Sequence, residues 1–104
     1  MSKDHSCQCA VLCRLAEVLG GKWTLPVLFA VAGGTEHFSA IENLLPGITP
    51  RMLSTRLRHL AQFGFIEQTG VAHHTNYQLT AEAKELVKLV AKFERWGERH
   101  MAGG

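Results

Sequence analysis

Two groups of residues in this chain have types and spacing suited to chemistry. The first lies at the N-terminus, where His5, Cys7, Cys9 and Cys13 fall close together. Thiolates attack electrophiles, exchange disulfides and bind zinc, copper(I) or iron–sulfur clusters. The Cys-x-Cys spacing followed by three residues and Cys is not a standard zinc pattern. A one-residue gap also strains two ligands on one tetrahedral ion. The second group is Arg51, Arg56 and Arg58, in a short stretch from Thr49 to Leu60 that carries no acid. Guanidinium groups grip phosphate oxygens or reach O6 and N7 of guanine, and Ser54 and Thr55 beside them can do either.

Such arginines act together only if an element presents them. Thr49-Pro50 predicts a helix start, with threonine as N-cap and proline at the first helical position. Leu53, Leu57 and Leu60 recur at i, i+4 and i+7 and must face a core. Arg51, Ser54, Thr55 and Arg58 then fall largely on the opposite side. Ahead of this helix, Ser39 with Glu42 reads as a capping box for a short helix bearing Ile41, Leu44 and Leu45. Pro46-Gly47 is the turn between the two. The pair, over 39–63, is a helix-turn-helix whose second member is suited to a DNA major groove.

The flanking segments follow. Ala10 to Leu19 predicts a helix with Val11, Leu12, Leu15, Val18 and Leu19 on one face, stopped by Gly20-Gly21. Lys22 to Ala32 predicts a second, with Trp23, Val27, Leu28 and Val31 facing the core and Pro26 in its first turn. His37-Phe38 reads as a short extended piece. Gly64 ends the fourth helix. Phe65 to Glu67 and Asn76 to Leu79 read as a hairpin, so 65–79 forms a wing. Thr80 caps a last helix to about Met101, whose stripe of Leu86, Leu89, Val90, Phe93 and Trp96 is longer than a small body can cover.

A chain of 104 residues, 46% apolar, forms one domain with a real core. The reading is a mainly α fold with a small β-hairpin, a winged helix-turn-helix across 1–104. Within it 1–19 is a sensor and dimer arm and 80–101 a dimerisation helix. The net charge of +2 is mild, so the placement of the charge carries the argument. Three cysteines make a poor disulfide framework. No apolar run is long enough for a membrane span, and no signal pattern opens the chain, which points to the cytoplasm. Phosphate-loop, nucleophile-elbow and zinc-protease motifs are absent, so no enzyme and no cofactor are expected.

Arg51 and Thr55 are assigned to base edges, Arg56 and Arg58 to phosphates, and Thr49 to a phosphate at the helix start. A merely solvated basic face is the competing reading. The wing offers His73 and His74 and no Lys or Arg, which predicts a modest contact. For the cysteines, a thiol switch is preferred over a metal site built with His5, and over thiols without function. A winged adaptor for protein partners is a further alternative.

The segments Gly20-Gly21-Lys22-Trp23-Thr24-Leu25, Leu45-Pro46-Gly47-Ile48-Thr49-Pro50-Arg51-Met52-Leu53, Arg56-Leu57 with Leu60 and Gly64, Tyr77-Gln78-Leu79-Thr80 and Trp96-Gly97 stand in order along the chain. Together they resemble the HxlR family of winged helix-turn-helix regulators, relatives of the MarR type. The resemblance implies a homodimer assembled through the N- and C-terminal helices, with Leu12, Leu89, Phe93 and Trp96 at the interface. It also implies binding to a pseudo-palindromic operator in double-stranded DNA. Several members of that family sense electrophiles or oxidants through a cysteine ahead of the Gly-Gly-Lys-Trp segment. Cys9 is nearest that position, offset by about one residue, with Cys7 and Cys13 in addition. His37 replaces a usual arginine, the arginine commonly found just after the strand following Gly64 is absent, and Ala83 replaces a glycine.

Overall fold

The computed structural model describes residues 10–70 and 75–101. Its elements are α1 (Ala10–Leu19), α2 (Thr24–Ala32), α3 (Phe38–Leu44), α4 (Pro50–Gln62), β1 (Ile66–Thr69), β2 (Asn76–Leu79) and α5 (Ala81–His100). The strands pair antiparallel with Ile66 opposite Leu79 and Gln68 opposite Tyr77. This is the predicted winged helix-turn-helix.

The core grows around α2. Val27, Leu28, Ala30 and Val31 are buried there, and so is Thr24. Ile41 from α3, Leu53, Leu57 and Leu60 from α4, Ile66 from β1 and Ala83 from α5 close on them. Each fully buried Leu or Ile contributes roughly 1.5–3 kcal/mol relative to leaving it in water. Pro26 falls in the first turn of α2, where its missing N–H leaves no helical bond unmade. The helix starts at Thr24, two residues later than the sequence suggests, and α1 and α2 bend by 76° across Gly20 to Trp23. No single helix among the described residues is long and apolar enough to cross a membrane.

Three local expectations fail here: Ser39 as the cap, Phe38 as extended chain, and Leu44 on the inner face. Ser39 does not cap α3: the N-cap is His37, in extended geometry and without a side-chain cap bond, and the helix begins at Phe38. The reason is tertiary. Glu36, just ahead, gives its carbonyl to the Tyr77 amide at 2.9 Å, and this bond to β2 sets where the chain must turn into the helix. Phe38 is then drawn onto the core as part of the first turn. Leu44, placed on the apolar face by spacing, is instead exposed, while Ile41 and Leu45 pack inward.

The other caps form as expected. Met52 N–H donates to Thr49 Oγ1 at 3.1 Å, and Pro50 opens α4. Gly47, at φ 95°, makes the helix-turn-helix corner in a conformation that side chains resist. Thr80 Oγ1 accepts from Ala83 N–H at 3.3 Å and donates to the Gly64 carbonyl at 2.7 Å. That one hydroxyl ties the start of α5 to the end of α4.

Candidate nucleic-acid interface

The leucine stripe fixes how α4 is rotated. Leu53, Leu57 and Leu60 are all buried, so the opposite face must meet solvent. Arg51, Ser54 and Arg58 are exposed there, and Thr55 is half-buried. At 3.6 residues per turn, Arg51 and Arg58 project within about 20° of each other and stand about 10 Å apart along the axis. The face holds no carboxylate. A 13-residue helix of this kind is about 20 Å long and fits a groove about 12 Å wide.

Arg56 is placed differently from Arg51 and Arg58. By the same geometry it lies about 140° round from Arg51, beside the core stripe. Its side chain is half-buried, and its Nε is buried without a hydrogen-bond partner. Nη1 sits 3.4 Å from Nδ1 of His59. The guanidinium packs on the backbone at Gly21, whose missing Cβ leaves it room. Arg56 is therefore turned to the α1–α2 junction and does not share the exposed face of Arg51. The acid-free arginine surface is carried by two arginines.

Thr49 stands exposed at the helix start, its hydroxyl engaged as the cap. His73 and His74 lie outside the described residues, as do His5, Cys7 and Cys9. Cys13 is half-buried in α1. The structure thus brings together Thr49, Arg51, Ser54, Thr55 and Arg58, and places Arg56 elsewhere.

Sequence reasoning missed a trough between α4 and the hairpin, with a volume near 400 Å³. One wall is Ser54, Arg58 and Gln62, at i, i+4 and i+8 along α4; the other is Gln68 and Tyr77. The α4 stripe was readable from spacing. The opposing wall needed the strand register, which sequence leaves open.

On α1 and α5, Leu12 and Phe93 are 68% and 70% exposed, Leu89 is 60% exposed and Trp96 46%. Phe93, Trp96 and His100 stack in a row along α5, with ring centroids 6.1 and 4.6 Å apart. Beside them an apolar cleft of about 390 Å³ opens between α2 and α5, lined by Leu25, Pro26, Phe29, Val90 and Met101.

An exposed basic second helix, a glycine corner and a hairpin behind them define a winged helix-turn-helix protein of the transcription-regulator class. The family profile described as HxlR-like helix-turn-helix matches residues 18–103. The chain belongs to the HxlR family. It is 31% identical over 87 residues to the HTH-type transcriptional regulator YdeP of Bacillus subtilis, covering 81% of this chain and 68% of that protein. The redox regulator HypR in its reduced form superposes with a TM-score of 0.75 at 27% identity, over 88% of this chain and 93% of that one. Quinone-bound YodB from B. subtilis shares the fold, with a TM-score of 0.77 at 24% identity over 88% and 99% of the two chains. The chain is a transcriptional regulator of HxlR type.

Proposed function

We propose that this regulator acts as a homodimer that reads a pseudo-palindromic operator, with each α4 in a major groove. The half-sites then lie about one helical turn, or a multiple of it, apart. The observation that carries this reading is the paired exposure of Arg51 and Arg58 on an acid-free face held by three buried leucines. Arg51 and Thr55, near the helix start, are assigned to base edges. Arg58 and the Thr49 end of the helix are assigned to phosphates.

Leu12, Leu89, Phe93 and Trp96 serve the dimer. An apolar surface of that extent on a small chain favours a partner. The N-terminal cysteines are the sensor: oxidation or alkylation of Cys7, Cys9 or Cys13 shifts the spacing of the two recognition helices. The likeness to HypR supports this reading, as does the place of Cys13 on α1, next to Leu12.

A mobility-shift titration against duplexes selected by the protein from a random library tests the proposal. Tight binding to a two-fold-related pair of half-sites is expected. Equal binding to every duplex would remove the sequence-specific reading.

A further inference from the structure

The last helix carries a charge pattern that neither the DNA-reading face nor the apolar ridge uses. Lys84, Lys88, Lys92, Arg95 and Arg99 follow one another at intervals of three or four residues along α5. At 3.6 residues per turn all five project within about 40° of Lys88, in a stripe about 22 Å long. All five are exposed. The acids of α5, Glu82, Glu85, Glu94 and Glu98, fall outside that arc. Among the described residues no carboxylate forms an ion pair with any of the five, and Arg99 donates to the Arg95 carbonyl.

Such a row does not help the helix. Like charges three and four residues apart repel. Lys84 also lies near the N-terminal end, where the helix dipole disfavours a cation. The row lowers the stability of the isolated helix, and an anionic surface from outside the protomer would restore it.

The stripe begins behind the hairpin. β1 packs on α4, and β2 packs on α2 and α5. Tyr77 shares the α4 trough with Arg58, whereas Gln78, the next side chain of β2 and on its other face, lies with Lys84 and Lys88. The hairpin thus separates the start of the stripe from a duplex seated on α4. Leu89, Phe93 and Trp96 project about 80° or more away from Lys88, so the stripe stays exposed beside the proposed dimer contact.

At Lys84 and Lys88 a second trough opens, with a volume near 530 Å³. Val31 and Val87 give it apolar walls, and Glu36 places a carboxylate in it. Stripe and trough together select an occupant. A nucleic-acid backbone is anionic throughout, so it brings nothing apolar to the trough and is repelled by Glu36. A bilayer takes up a helix by its apolar face, and from Lys84 to Arg99 this arc holds cations only. A polypeptide can carry carboxylates at helical spacing with an apolar side chain beside them.

We propose that this surface docks an acidic segment of a partner protein. Its carboxylates meet the five cations of the stripe, and one apolar side chain enters the trough between Val31 and Val87. The surface remains open with DNA on α4, so the regulator can hold a second protein while bound to its operator.

The test uses the full chain and a short labelled helical peptide, with glutamates three and four residues apart and a single leucine beyond them. Fluorescence anisotropy should show saturable binding that weakens with salt. A triple variant, Lys88→Glu, Lys92→Glu and Arg95→Glu, alters exposed residues only. It should weaken binding by roughly tenfold or more. Glutamine at the same three positions should give a smaller loss. Exchanging the peptide's leucine for serine should weaken binding by roughly threefold. An Arg51→Ala, Arg58→Ala variant should bind the peptide as wild type does, which separates the stripe from the α4 face whether or not the protein binds DNA.

Equal affinity of the charge-reversed protein for the peptide would overturn the proposal. An unchanged affinity for the serine peptide would strike the trough from the site. A charge-reversed protein that loses operator affinity as steeply would assign the stripe to DNA, and one that sediments as a monomer would assign it to the dimer. Tighter binding of wild type to phosphatidylglycerol vesicles than to the peptide would assign it to a membrane. Each of these three results overturns the protein-partner reading.

Discussion

Arg56 of the recognition helix lays its guanidinium on Gly21, at the joint between the first two helices. A Cβ at Gly21 would stand 3.4 Å from Arg56 Cζ and 2.9 Å from Thr24 Oγ1. The joint connects α1, which carries Cys13, to the body of the molecule. The contact therefore ties α4 to the junction between α1 and α2. Gly21→Ala should destabilise the fold by about 1–3 kcal/mol, because buried Thr24 and the guanidinium must both move. Adding Arg56→Ala should recover part of the loss, and a double-mutant cycle by urea unfolding measures the coupling. Strict additivity would show that the two residues do not share strain.

The two exposed arginines and the inward one should separate in salt titrations. Arg58→Ala should reduce the slope of log K against log salt by about 1, as expected for one lost phosphate contact. Arg56→Met should leave the slope unchanged. Arg51→Ala should relax base preference by about 1–3 kcal/mol at one operator position. A smaller slope for Arg56→Met would return that side chain to the DNA face.

Thr80 makes two bonds through one hydroxyl, to Ala83 N–H and to the Gly64 carbonyl. Thr80→Val keeps the shape and removes both. Stability should fall by about 1–2 kcal/mol, read as a lower urea midpoint with unchanged slope.

The exposed apolar ridge of α5 is the dimer contact proposed above. Phe93→Glu should give a monomer in sedimentation velocity at concentrations where wild type is a dimer, with helical content intact. Its operator affinity should fall steeply, because two half-sites are no longer bound together. A dimeric Phe93→Glu protein would move the interface elsewhere.

The thiol switch predicts that diamide or a quinone changes operator affinity in wild type. Replacing Cys7, Cys9 and Cys13 together by serine should abolish the response. Single serine variants then identify the reacting thiol. An unchanged response in the triple variant would end the thiol hypothesis.

Local chemistry was legible wherever it is self-contained. Thr49 and Thr80 cap their helices because the bond is made within three residues. Leu53, Leu57 and Leu60 turn inward because their period matches the helix, and the exposure of Arg51 and Arg58 follows from that. Ser39 shows the limit: its spacing to Glu42 is right for a cap, yet the bond from Glu36 to Tyr77, across the chain, starts the helix at Phe38.

Sequence by itself determined the order of elements, the helix-turn-helix, the buried stripe of its second helix and the family. These depend on periodicity and capping, which act over a few residues. Tertiary structure decided which arginines face outward together, because Arg56 sits at the border of the buried stripe and Gly21 provides a place for it. Tertiary structure also made the trough, since strand register alone puts Gln68 and Tyr77 opposite Arg58. Contacts between residues far apart in the chain arise from packing, and no local pattern encodes them.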